Sequence, residues 1–454
     1  MITTSNPTHK KCSQALPYRR WRRGLVVFAV IASLGQLNEL DAQPGHPDAI
    51  VVDSVGAMQA ALAGADSGTR IIVRKGTYPV TAPLLIPDGV ALEGEGIMLG
   101  GGLPTGFEPG TETRIVAAGP MADNLVTLGN GAQLKGLVIE NAAGSLGNVI
   151  WVASRTPGDT LAASMVECLV INPNSHGIGP QGPTGRAIVV LTRNPNLGAD
   201  PPPHEGADIT LQMHRSIVRS AANFSALFAI NFAPRAQINL SLADNILGGG
   251  MDVTAGVSRP DEVTGSVIAV RSERNVYVAE EAPFPGTGIN VFGGSGAPIP
   301  GLATPGASSN SAYLHSKDDL IYGFQVGLNI RGGRRLSTLQ GPNSGNSVDL
   351  QLLGLQVFTR EMPGAADFVL RAAHSEASMP EFSAGDHNRI RVLITGATGS
   401  GARQNVYAAS SGPLLPENYG VGNRLEFIGT RVAFDHTNEA IEPAPPEQYF
   451  LGNN

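Results

Sequence analysis

The chain has 454 residues, 42% of them hydrophobic and 15% charged, with a formal net charge of −7. An acidic chain without clustered Lys and Arg in its body is a poor partner for nucleic acid or an anionic membrane surface, so neither is expected. With 57 Gly and 33 Pro it suits many short strands joined by turns rather than long helices.

The first residues read as a targeting segment. Lys10, Lys11, Arg19, Arg20, Arg22 and Arg23 precede an apolar run from residue 25 to 34. That run is too short to span a bilayer, which takes about 20 residues. A charged lead, a short apolar stretch and Ala42 as a cleavage position predict a secretory signal over 1–42. The plain alternative is an N-terminal extension with no export role. Cleavage would shift the net charge from −7 to −11, because six cations leave together with Glu39 and Asp41. It would also remove Cys12, so Cys168 would stand alone, without a disulfide partner. The mature chain is then expected to be exported to the periplasm, the exterior or the cell surface, with no membrane-spanning segment.

Residues 43–53 read as a linker. Val55 to Ala63 carry helical spacing, with Asp53 or Ser54 as N-cap. Then come Arg70-Ile71-Ile72-Val73 and Thr77-Tyr78, followed by Leu84-Leu85-Ile86-Pro87-Asp88-Gly89-Val90-Ala91-Leu92-Glu93-Gly94. From here a bend-and-strand motif returns: Lys135-Gly136-Leu137, Glu167-Cys168-Leu169, Arg215-Ser216-Ile217, Asp244-Asn245-Ile246, Arg274-Asn275-Val276 and Asp318-Asp319-Leu320. With Leu137, Leu169, Ile217, Ile246, Val276 and Leu320 as anchors, the steps are 32, 48, 29, 30 and 44 residues. Recurrence in that range predicts a solenoid, each unit burying its apolar face on the next. The anchors are expected to stack in one column, so length alone, which would suggest two or three domains, gives way to one continuous domain over 54–436.

Each coil reads as three short strands. The first coil is 125–129, 132–135 and 137–140; the second is 148–154, 163–167 and 169–172; the third is 186–192, 208–214 and 217–219. Then follow 226–232, 237–242 and 246–248. The strands 266–271 and 276–278 belong to a coil whose first strand is not evident. Next come 288–292, 312–315 and 320–323, then 326–330, 347–353 and 355–359. The strands 368–372, 389–395 and 423–428 close the series. Gly345-Asn346-Ser347, His387-Asn388-Arg389 and Gly422-Asn423-Arg424, each opening an apolar strand, support the register. Four long loops, 195–206, 295–310, 334–345 and 374–386, must leave the body, since buried turns of that length would strand their polar backbone. If they leave one edge, they wall a groove beside the first-strand face. Residues 437–454 read as a tail.

The opening helix, the Ile-x-Val-x-x-Gly-x-Tyr strand and the Ile-Pro-Asp-Gly-Val-Ala-Leu-Glu-Gly-Glu-Gly stretch resemble the start of the pectate-lyase-like right-handed parallel β-helices. The resemblance covers most of 50–436 and is to a fold superfamily, with no specific enzyme family matched. It implies an all-β, right-handed parallel β-helix with a short N-terminal capping helix. It also implies an exported polysaccharide-active protein, a lyase or hydrolase on extended, uronic-acid-containing glycans. The alternative is a non-catalytic secreted or cell-surface β-helix used for adhesion or structure.

The bend residues Lys135, Glu167, Arg215, Asp244, Arg274 and Asp318 alternate in sign and predict a structural charge ladder, at about 4.8 Å per rung. Asp318-Asp319, Ser175-His176-Gly177 and Arg389-Ile390-Arg391 look like the Asp-Asp, Gly-His-Gly and Arg-Ile-Lys of pectin-hydrolysing members. Here the histidine precedes by four to five coils, about 20 Å along the axis, so they cannot form one site. Alternation in the first strands predicts that Asn231, Asn290, Asn329 and Arg331 point outward, with Arg371 in the next coil. Stacked amides suit sugar hydroxyls, and an Arg suits a uronate carboxylate; a solvated polar ladder is the plain alternative. His204-Glu205 and His214 read as unpaired surface residues. Lyases of this fold use clustered Asp for Ca²⁺ with an Arg or Lys base. No such set assembles here, and no cofactor is expected. The catalytic residues, the substrate and the oligomeric state stay open.

Overall fold

The computed structural model describes residues 49–429 apart from 176, 180–181, 194–202, 222–224, 259–261, 280–285, 297–304, 337–338, 376–384, 397, 400–405 and 412–420. The expected signal (1–42), most of the linker, the tail (437–454), His176 and the middles of the four long loops lie outside the described residues.

Among the described residues the strands stack into three long sheets: a first of 11 strands, a second of 12 and a third of 10, built from the first, second and third strands of the coils. Neighbours within each are parallel and come from successive coils, as in Asp208–His214 beside Gln237–Ala243 and then Val267–Glu273. The chain passes from first to second to third sheet and round again, which is the parallel β-helix expected from the repeat. Inward aliphatics such as Ile209, Leu211, Ile238, Leu240, Ile268 and Val270 are almost fully buried in one continuous core. Ile50–Val52, inside the stretch read as linker, is already a strand of the second sheet. The coil without an evident first strand has one at Met251–Thr254.

The helix Val55–Ala63 closes the N-terminal end. Ser54 caps it, its hydroxyl accepting from Ala57 N at 3.3 Å, and Met58 and Leu62 enter the core. This covers an apolar rung that would otherwise face water.

The corner from second to third sheet is one residue in the left-handed region. Gly136, Glu167, Arg215, Asp244, Arg274, Asp318 and Gly354 hold it, with φ between 48° and 63°. The residue after it turns into the bore, and there Cys168, Ser216, Asn245, Asn275 and Asp319 are buried. Main-chain N–H groups at a bend have no strand partner, so the next rung's side chain supplies one. Ser216 N donates to Asn245 Oδ1 at 2.9 Å, Asn245 N to Asn275 Oδ1 at 2.9 Å, and Asn275 N to Asp319 Oδ1 at 2.7 Å. The corner from first to second sheet repeats the device: Asn310 N, Asn346 N and Asn388 N donate to Asn346, Asn388 and Asn423 Oδ1 at 2.9–3.1 Å.

Two expectations at the first of these corners need correction. The bend charges from Glu167 to Asp318 do stack, but Lys135 is one place out of line: it pairs with Val166, and Gly136 holds the bend. Glu167–Arg215 closes at 3.1 Å and Asp244–Arg274 at 2.7 Å, while Arg215 also donates to Gly100 and Gly102 carbonyls. Likewise Val138, not Leu137, lies beside Leu169 in the column that continues through Ile217, Ile246, Val276 and Leu320. These anchors face outward. Met98 and Phe107, from the hairpin strands Met98–Leu99 and Gly106–Phe107, cover the column at Val138 and Ile217. The bore is filled instead by Ile139, Val170, Val218, Leu247, Tyr277 and Ile321. The inward turn after each bend shifts the parity by one residue.

Candidate functional site

The long connections all leave the corner between first and second sheets, so the outer face of the first sheet lies beside them. Two outward columns run along it. One is Trp151, Val189, Phe228, Asp252, Asn290, Asn329 and Val369; the other is Ala153, Leu191, Ile230, Thr254, Phe292, Arg331 and Arg371. The N-terminal half is apolar and forms its own cluster of Trp151, Ala153, Val189, Leu191, Ile230, Phe232 and Val257. The C-terminal half is polar.

Four of the five expected residues come together there. Asn290 and Asn329 are half-buried neighbours, and Asn329 Nδ2 donates to Asn290 Oδ1 at 2.8 Å. Arg331 Nε donates to Asn329 Oδ1 at 3.3 Å, and its guanidinium lies 5.7 Å from the Phe292 ring. Arg371 is the Cα partner of Arg331 on the next rung. Arg331 is only 8% exposed, so it forms part of the wall more than of the open floor.

Asn231 does not belong to the row, and its expected outward direction is wrong. In Leu227–Asn231 the core takes Leu227 and Ala229, and the outer cluster takes Ile230. Asn231 therefore faces inward and is fully buried. It accepts from Thr192 Oγ1 at 3.2 Å and donates to Val267 O at 2.8 Å. The strand is apolar on both faces, so alternation alone could not fix its parity.

The sequence reading missed the end of the row. Asp252 accepts from Asn290 Nδ2 and from Ser225 Oγ. Arg186 donates to Ser225 Oγ at 3.2 Å, lies 4.0 Å from Asp252 Oδ2 and stacks 3.8 Å over the Phe228 ring. Burial pushes the Arg186 guanidinium down to about 10, with Asp252 opposing the shift, so it is still charged at neutral pH. The findable signal was the alternation Met251-Asp252-Val253-Thr254, hidden behind Gly248-Gly249-Gly250.

All the donors in this chain point one way: Arg331 to Asn329, Asn329 to Asn290, Asn290 to Asp252, with Arg186 and Ser225 arriving from the other side. An amide has two N–H donors and two acceptor lone pairs. Asn290 and Asn329 each spend one of each on the chain, leaving one donor and one acceptor apiece.

The other candidates are accounted for structurally. His204 is buried, not a free surface residue: Ser154 Oγ lies 2.8 Å from its Nδ1, and burial followed by Arg193 lowers its pKa. Glu205 pairs with Arg235, and His214 lies 3.4 Å from Asp244. Burial pushes the Cys168 thiol up to about 12, leaving it un-ionised. Among the described residues no three His, Cys, Asp or Glu side chains gather as metal ligands, and no helix is long and apolar enough to cross a membrane.

No family model and no curated protein matches the sequence. Among solved structures the chain is similar to the Dettilon tailspike protein (gp208), with a TM-score of 0.37 and 11% identity over 83% of this chain. It spans 65% of that tailspike chain. It is also similar to a polygalacturonase from Erwinia carotovora ssp. carotovora, with a TM-score of 0.27 and 11% identity over 92% of this chain and 98% of the other. Both overlaps are loose, and nothing about this chain's chemistry follows from them.

Proposed function

We propose that this chain is an exported glycan-active β-helix that holds an extended polysaccharide along the Asp252–Asn290–Asn329 row. One observation carries the reading. Each Asn of the row keeps one donor and one acceptor unspent, on adjacent rungs about 4.8 Å apart, which is the pairing that sugar hydroxyls need. Arg331 and Arg371, at the C-terminal end, suit an acidic group on the same chain.

A second reading, a non-catalytic surface or secreted binder, is favoured by the carboxylate count. Inverting hydrolysis uses two carboxyls about 6.5–9.5 Å apart. Among the described residues the row has one, Asp252, and it is tied to Ser225 and Asn290.

Calorimetric titration against a panel of neutral and acidic polysaccharides tests the proposal. Asn290→Ala and Asn329→Ala should each weaken the bound glycan about tenfold, the scale of one lost hydrogen bond. Absorbance at 232 nm and reducing ends, read on the same mixtures, distinguish lyase, hydrolase and plain binder. A wild-type protein that binds none of the panel defeats the glycan reading.

A further inference from the structure

We infer that Asp252 sets the ligand class at its own rung: the row takes the vicinal diol of a neutral sugar there and turns acidic sugars away. The inference rests on the glycan reading above and adds the identity of one subsite.

A carboxylate has two oxygens with about four acceptor sites and no donor. Oδ1 of Asp252 receives Asn290, and Oδ2 receives Ser225. One acceptor site is left on each oxygen, and the side chain is 25% exposed, so the pair is presented outward. Two acceptors side by side fit two neighbouring hydroxyls. They offer nothing to the carboxylate of a uronate, or to a sulfate or phosphate, each of which brings only further acceptors and a negative charge that Asp252 repels.

The surroundings fix this preference in place. Arg186 stands behind the carboxylate, 5% exposed and stacked on Phe228. It offsets the cost of burying the charge without presenting a cation to the ligand. The next row members toward the C-terminus are amides, and the cations Arg331 and Arg371 come two and three rungs beyond Asp252. Among the described residues of the two columns, that is where the outward cations stand, away from Asp252. The polymer that fits is a heteroglycan with neutral sugars between its acid groups, or a neutral glycan, rather than a homopolyuronate.

The experiment is a titration of the full chain with three probes: polygalacturonate, a neutral galactan, and an acidic heteropolysaccharide of mixed neutral and uronic residues. The wild type should bind the neutral or mixed polymer at least tenfold more tightly than polygalacturonate. Asp252→Asn should narrow that gap, losing about tenfold on the neutral probe and gaining on polygalacturonate. Equal or tighter binding of polygalacturonate by the wild type overturns the inference while leaving the glycan reading intact. No binding of any probe by the wild type overturns both. Because the wild-type ranking needs no variant, a misfolded Asp252→Asn protein does not shield the inference.

Discussion

Asp319 ends the polar column inside the bore with a carboxylate, where the two rungs before it carry an amide. It is 1% exposed and surrounded by neutral groups: Asn275 donates through its backbone N, and Ser316 Oγ donates at 2.6 Å. Burial is the largest influence and pushes the Asp319 carboxyl up to about 6, from an ordinary 3.8. Below the ordinary value both folded and unfolded chains hold the proton, and the site contributes fully. Between the two values only the folded chain holds it, so stability falls as pH rises, and above the folded value the contribution is lost. The whole step is at most about 3 kcal/mol. Asp319→Asn removes the titration and continues the amide column. The variant should melt higher than wild type at pH 8 and within a few degrees of it at pH 4. Thermal melts at the two values check this, and a variant equally destabilised at both would show that the charge is not the issue. The companion column, at the corner from first to second sheet, was half legible. Asn346, Asn388 and Asn423 stood out as register marks because each follows a bend and opens an apolar strand. That they bond to one another was not legible, since the bonds join residues 35 to 42 positions apart.

At the scale of the strand, the coil map came through because bends and apolar triplets repeat, and the errors sit where two rules compete. Lys135 and Leu137 slipped by one because Gly136 and Glu167 both serve the left-handed bend, and only the latter carries the expected charge. Asn231 was misdirected because its strand is apolar on both faces. Asp252 was passed over because its strand follows three glycines. One feature of the long strands had no sequence signature beyond Gly pairs. Val326–Arg335 runs on past the corner, and there Gly332 lies so close to its neighbours that a Cβ would stand 2.3 Å from Ala372 O and 3.1 Å from Asn388 Cβ. Gly293, its counterpart one rung earlier, would meet Gly332 O at 2.5 Å. Backbone cannot yield as a side-chain tip can, so Gly332→Ala should cost about 1–3 kcal/mol, the range for overpacking. Urea unfolding of the variant reads this directly. Since Asn329 and Arg331 sit on the same strand, glycan affinity should fall with it. A variant as stable as wild type would mean that the strands can separate here at no cost.

Across the whole solenoid, each rung rests on its neighbours, so stability is close to a sum of nearest-neighbour terms and the ends carry special weight. The helix Val55–Ala63 supplies the N-terminal end. Met58 is fully buried and Leu62 nearly so, and each contributes on the order of 1.5–3 kcal/mol by burial. Replacing both with Glu would place two carboxylates on an apolar rung with no cation provided, and the helix should lift away. The exposed rung would then present apolar surface together with the main-chain edge of Ile50–Val52, a template for pairing with another copy. Two results should follow from Met58→Glu with Leu62→Glu. Backbone amides of Arg70–Val73 and Ala91–Gly94 should lose exchange protection while those of Ser347–Leu353 keep theirs. Gel filtration should show assembly that grows with concentration. A uniform loss of protection over every coil would contradict the neighbour-by-neighbour account, because it would make the chain one cooperative block whose end is no weaker than its middle.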